Sequence, residues 1–197
     1  MKFYESGDNR KPVIFLFPGT CCLYSSFDHV LDGLHSYFYT VTVSYDGFDP
    51  NEKTEFYSME DECEKIEQEI RKKYGGRIYL VAKIQSSMVV PFMYKMVHTG
   101  TLPKFMQKKL DKTDGGKKEL YNGFLNMFGI GKGGSPWITK QSIYNQFYSD
   151  LVTKVQHGID VPGTTIHVFY ATKMGEKYEK RYCTYFKNPD IRKHNMQ

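Results

Sequence analysis

Residues 12–22 read PVIFLFPGTCC. Five apolar side chains, Val13 through Phe17, run unbroken into the small-residue turn Pro18-Gly19-Thr20. A strand with no polar alternation is apolar on both faces, which is what the interior of a parallel sheet requires. The same rhythm of strand, turn and helix then recurs twice. Phe27, Val30, Leu31, Leu34 and Phe38 fall on one helical face, with Ser25 or Ser26 placed to cap it. The β-branched run 40–45 predicts a second strand that ends at the turn pair Asp46-Gly47. Ser58 and Asp61 have capping-box spacing and open a long helix whose predicted buried stripe is Cys63, Ile66, Ile70 and Tyr74. Acidic residues crowd its start and Arg71, Lys72 and Lys73 its end, before Gly75-Gly76 stops it. A third strand is predicted over 77–82 and a short first one over 2–5.

This alternation predicts an α/β fold, a three-layer sandwich with a mainly parallel sheet. Ligands in such sheets bind beyond the carboxyl ends of the strands, so the loops at 18–22, at 46–50 and after Ala82 are expected to face the site. From Ser86 the pattern becomes helical. Met88, Phe92, Met96 and Val97 suggest one helix, 102–110 and 120–128 two more, and Ile143, Phe147 and Leu151 a fourth. A helical insertion of this kind predicts a cap. The expected division is an N-terminal part of the core over 1–82, the cap over 83–160 and the rest of the core over 161–197. In the last part, 164–170 reads as a strand, 179–186 as a helix and Ile191 as the start of a final strand.

Composition narrows the class of function. A charge of +5 permits an anionic partner without demanding one. The lysines at 104, 108, 109, 112, 117 and 118 are interspersed with Asp111, Asp114 and Glu119, which suits a solvated face rather than a nucleic-acid surface. The longest apolar run is too short for a bilayer, and the polar opening MKFYESGDNRK is not expected to be a secretory leader. The four cysteines form no metal-ligand pattern, and adjacent Cys21 and Cys22 have poor geometry for a disulfide, so a reducing, cytoplasmic setting is expected. No metal or organic cofactor is expected. The glycine run 129–135 lacks phosphate-loop spacing, and no G-x-G-x-x-G follows the first buried strand.

The order of elements, with the segments PVIFLFPGTCC, VSYDGFD, MYKMVHTGTLPKFM, FGIGKGG, NQFYSDLVT and VPGTTIHVFYATKMGEKY, resembles a group of small bacterial hydrolases of the α/β-hydrolase fold. The resemblance covers nearly the whole chain. It implies a Ser nucleophile, a His and an acid, with backbone N–H groups as an oxyanion hole. Carried onto this sequence, Gly19, Thr20 and Cys21 match the oxyanion-hole loop, and Glu176 the acid that orients the His. A solvated loop position in GEKYEK is the blander reading of Glu176. The implied substrate is a small molecule with an acyl ester or related bond.

The chain departs from the family at its centre. The strand 77–82 should run into G-x-S-x-G, yet the sequence reads LVAKIQSSMVVPF, and G-x-S-x-G occurs nowhere. An elbow, its helix and a further strand are therefore expected to be missing between Ala82 and Lys83, which makes the fold incomplete. Ser86 and Ser87 are the nearest hydroxyls, and a helix cap is their simpler role. The family's His lies in a loop after the last strand, a region also expected to be missing; His194 is the only histidine near it, and it sits where strand is expected. Cys21 or Cys22 as nucleophile competes with plain packing behind a turn. Two functions remain open: a serine hydrolase in its complete form, or an inactive member that binds a ligand or partner. The oligomeric state is not readable from the sequence.

Overall fold

The computed structural model describes residues 1–75, 78–82, 104, 137–172 and 175–195. The helices expected at 88–97, 102–110 and 120–128, the run 129–135, and Ser86 and Ser87 lie outside those residues, Lys104 apart. The chain divides into two compact units, Met1–Val152 and Thr153–Gln197. The division falls after Val152.

In the first unit the strands are β1 (Lys2–Ser6), β2 (Val13–Phe17), β3 (Tyr39–Ser44) and β4 (Ile78–Ala82). They form one sheet in the order β1-β3-β2-β4. β2 runs parallel to β3 and to β4, while β1 is antiparallel to β3. Register explains why β2 is apolar throughout. Phe15 pairs with Val41 and Leu80, and Ile14 with Thr40 and Tyr79, so successive β2 side chains serve opposite faces. Ile14, Phe15 and Leu16 are all buried. β4 is the other edge of the described sheet, and its Tyr79, Leu80 and Val81 are exposed.

Among the described residues, this unit has the helices α1 (Asp28–His35), α2 (Met59–Lys73) and α3 (Lys140–Val152). The core joins Phe15, Val41 and Val43 of the sheet to Phe48 and Phe56 of the loop after β3 and to Ile138, Ile143 and Phe147 of the α3 region. Ile66, Ile70 and Tyr74 pack against it, and the Tyr74 ring meets Phe15 edge-on at 5.2 Å. The stripe predicted for α2 is corrected at one end. Cys63 is exposed, and Glu62, one position earlier, is buried. The serines before α1 also act otherwise than expected. Ser25 and Ser26 lie inside a 3-10 turn (Tyr24–Phe27), and neither side chain caps α1. Ser58 does cap α2: its Oγ accepts from the Asp61 N–H at 3.2 Å.

The second unit holds β5 (His167–Ala171), α4 (Glu176–Tyr185) and β6 (Asp190–His194). β5 and β6 pair in parallel, and Val168 and Tyr182 are the centre of a small core with Ile166, Tyr178, Phe186 and Ile191 around them. α4 starts three residues earlier than the sequence pattern indicates, so Glu176 is its first residue. No helix among the described residues is long and apolar enough to cross a membrane.

The Ser58 cap predicts its own cost. Ser58→Ala should lower unfolding stability by about 1 kcal/mol, read as a lower urea midpoint with an unchanged slope.

Candidate active site

The turn after β2 is tight. The Cys22 N–H donates to the Gly19 carbonyl at 2.9 Å, and Cys21 has φ of +58°. A positive φ at the third of four turn residues, with the second negative, is the mark of a type II turn, where glycine is usual. Cysteine in that conformation carries a steric cost of about 1–2 kcal/mol. Two contacts from α3 accompany it. The Cys21 N–H donates to Gln146 Oε1 at 2.6 Å, and Thr20 Oγ1 donates to Asp150 Oδ2 at 2.7 Å. Burial, reinforced by Cys22 and Asp150, pushes the Cys21 thiol well up, so it is a packed thiol rather than a thiolate. Burial also raises the Asp150 carboxyl, against the hydrogen bond from Thr20.

The loop after β3 meets the same helix. Ser142 Oγ accepts from the Phe56 N–H at 3.1 Å, and Asn145 Nδ2 donates to the Phe56 carbonyl at 2.8 Å. Ser149 Oγ accepts from the Met59 N–H at 3.3 Å. Contact is close enough to require a glycine. Gly47 has φ of +77°, and a Cβ there would lie 2.2 Å from Ser142 Oγ. Tyr4 on β1 anchors the loop from the other side, donating to Asp49 Oδ2 at 2.8 Å. Burial is the main reason that the Tyr4 phenol is pushed up to about 12.

α3 therefore buries Ser142, Gln146 and Ser149 alongside Ile143 and Phe147, while Leu151 of the predicted stripe is exposed. An apolar-periodicity reading finds Ile143 and Phe147 and passes over the polar positions. The missed signal is the spacing of Ser142, Gln146, Ser149 and Asp150, all within one face at intervals of three and four.

At the carboxyl end of β3, oxygens of Asp46, Asp61 and Glu62 lie within 4.8 Å of one another, a grouping that could hold a metal ion. The chain supplies its own cations there. Lys65 Nζ pairs with Asp46 and Asp61, and the α-amino group of Met1 with Asp46. Glu62 Oε2 accepts from the Asp46 N–H at 3.1 Å, and Lys65 Nζ stands 3.5 Å from Oε1. Burial raises the Glu62 carboxyl to about 7, partly offset by that amide. Burial acts on Asp46 in the same sense, but the bonds from Lys65 and the α-amino group win and lower it.

The site residues inferred from sequence are distributed over both units. Gly19, Thr20 and Cys21 come together in the turn after β2. Glu176 is exposed at the first turn of α4, where its charge suits the helix dipole. His194 is the last residue of β6, exposed and stacked on Phe169 at 5.8 Å. No hydrogen bond or ion pair joins Glu176 to His194 among the described residues. Two other histidines have polar partners. His167 Nδ1 lies 2.7 Å from Asp190 Oδ2, and His35 Nε2 lies 2.9 Å from Ser6 Oγ. His167 opens β5 and meets the first residue of β6, while His35, the last residue of α1, ties that helix to β1 and β3.

No protein-family model and no curated protein sequence matches the chain. Solved structures do. An alpha/beta hydrolase family protein from Desulfitobacterium hafniense aligns with a TM-score of 0.59 at 10% identity, over 98% of this chain and 90% of its own. The fold is that of the α/β-hydrolases. A marine microorganism esterase aligns at TM-score 0.53 and 12% identity, over 98% of this chain and 90% of its own. The 1H-3-hydroxy-4-oxoquinoline 2,4-dioxygenase aligns at 0.56 and 13%, over 98% and 86%. An esterase and a dioxygenase both align with this chain, so the likeness establishes architecture and leaves the reaction to the residues.

Glu62 gives a pH test. Its folded value of about 7 lies above its ordinary 4.5. Its contribution to stability is therefore present below the ordinary value and lost as pH rises through about 7. Glu62→Gln keeps an acceptor for the Asp46 amide without the charge. The stability of wild type relative to this variant should fall between pH 5 and pH 7, roughly spanning the two values, in urea titrations at each pH.

Proposed function

We propose that this protein, in a form carrying a G-x-S-x-G elbow between Ala82 and Lys83, is a serine hydrolase of small acyl esters. The observation that carries the reading is the left-handed turn Gly19–Thr20–Cys21 at the carboxyl end of β2 in an α/β-hydrolase fold. That is the place from which this fold presents a backbone amide to a developing oxyanion. The Ser hydroxyl would attack the acyl carbon while a His takes its proton. The tetrahedral oxyanion would be held by amides of the turn. The alkoxide would leave with that proton, and water would then release the acid and restore the Ser. Glu176 is assigned to orient the His and to stabilise its charged form. His194, at the end of β6, is the histidine of this chain nearest the expected loop.

The second reading is an inactive member that binds a ligand or partner. The absence of G-x-S-x-G from the sequence favours it.

Treating the purified natural protein with a fluorophosphonate and measuring its intact mass separates the two. The hydrolase reading expects one label on an elbow Ser and a mass several kilodaltons above 23.0 kDa. An unlabelled protein of 23.0 kDa gives the binding reading. A label on Ser86 or Ser87 would overturn the missing-elbow argument. Glu176→Ala should lower turnover of p-nitrophenyl acetate by about 10³-fold or more with the thermal midpoint unchanged, and unaltered turnover would remove Glu176 from the site.

A further inference from the structure

We propose that Gln146 and Asp150 are positioning residues that select the type II form of the turn 19–22, and that the Cys21 amide is a holding contact rather than an oxyanion donor; the proposal rests on the acyl-hydrolase reading. Type I and type II turns differ chiefly in the orientation of the peptide between their second and third residues. In this turn that peptide joins Thr20 to Cys21, and its N–H is the group that donates to Gln146 Oε1 at 2.6 Å. Rotating the peptide to the type I orientation would aim the N–H away from Gln146 and relieve the positive φ at Cys21. The local preference of a cysteine is thus type I, and the bond to Gln146 opposes it.

The environment makes that bond decisive. Gln146 is 1% exposed and Cys21 8% exposed, so water cannot readily replace either partner. Thr20, on the other side of the same peptide, is fastened through its hydroxyl to Asp150 at 2.7 Å. Gln146 and Asp150 stand four apart, so one face of α3 grips both residues of the peptide. α3 is itself fixed: Thr139 Oγ1 accepts from the Ser142 N–H at 3.0 Å, capping its start, and Ile143 and Phe147 enter the core. A helix more than a hundred residues along the chain thereby fixes the Thr20–Cys21 peptide, the anchor from which the neighbouring amides of the turn are aimed. An oxyanion donor acts only when its N–H is aimed at the charge in advance.

Gln146→Met keeps length and removes the acceptor, while Gln146→Glu keeps an acceptor. Two readouts are taken on each: the sign of φ at Cys21 with its amide exchange, by NMR, and kcat and KM for p-nitrophenyl acetate. For Gln146→Met the expected result is loss of the left-handed Cys21, at least about tenfold faster exchange of its amide, and a fall in kcat of about 10²-fold with KM little changed, as the other amides of a turn no longer anchored to α3 lose their fixed aim. For Gln146→Glu, φ stays positive, and kcat recovers towards wild type as pH falls and the added carboxyl takes a proton. Asp150→Leu should move the same readouts in the same direction, which keeps the test intact if Gln146→Met fails to fold. A positive φ retained in Gln146→Met, or an unchanged kcat with φ lost, overturns the proposal. Wild-type protein without turnover overturns the hydrolase reading and with it the catalytic role, and the NMR readout, which needs no substrate, still shows whether Gln146 holds the turn.

Discussion

A buried hydrogen bond from the Cys21 amide to Gln146 joins two parts of the chain that are 125 residues apart and fastens the turn after β2 to α3. Loops at the ends of parallel strands leave the sheet with backbone donors that the ladder no longer satisfies. Burying such donors without partners is costly, so something polar must reach them. Here that is α3, whose Ser142, Gln146 and Ser149 accept from Phe56, Cys21 and Met59. A helix with a wholly apolar inner face would cover the same core and leave these amides orphaned. The mixture of Ile143 and Phe147 with three buried polar residues answers two demands at once: apolar burial, and satisfaction of the loops.

The same logic accounts for the charged cluster at the end of β3. Glu62 is wholly buried in the first turn of α2 because its carboxylate meets the Asp46 amide, and Lys65 and the α-amino group balance the acidic charge around it. The network ties the start of α2 to the loop after β3. With α3 on the other side, that loop is gripped between two helices, and Gly47 is the residue whose missing side chain lets α3 come near.

In α/β sheets, loops at the carboxyl ends of the parallel strands are where ligands bind, and the turn after β2 lies at such an end. The comparisons carry the fold, and the assignment of a reaction rests on residues. Among those, Gly19, Thr20 and Cys21 are already drawn into a tight turn, whereas Glu176 and His194 occupy the first turn of a helix and the end of a strand, with no bond between them.

Much of the architecture was legible from local pattern. The strand 13–17 was placed to the residue because unbroken apolar runs bounded by turn residues have few alternatives, and Ser58 was read as a cap because its spacing from Asp61 fixes the geometry. Patterns of this kind depend on neighbours in sequence, so sequence alone suffices for them. Phase and purpose were not legible in the same way. Counting apolar residues put Cys63 inside and Glu62 outside, and the reverse holds because a distant amide and a lysine make the acid's burial worthwhile. Ser25 and Ser26 have the composition of caps, yet a 3-10 turn absorbs them. The polar face of α3 and the left-handed Cys21 explain each other only when residues more than a hundred apart are brought together. The sequence by itself determined the order of the described strands and helices. Tertiary structure alone decided which polar side chains are buried and how the turn is oriented, since a buried donor is satisfied by whatever lies beside it in space, and the period of a single helix carries no record of that.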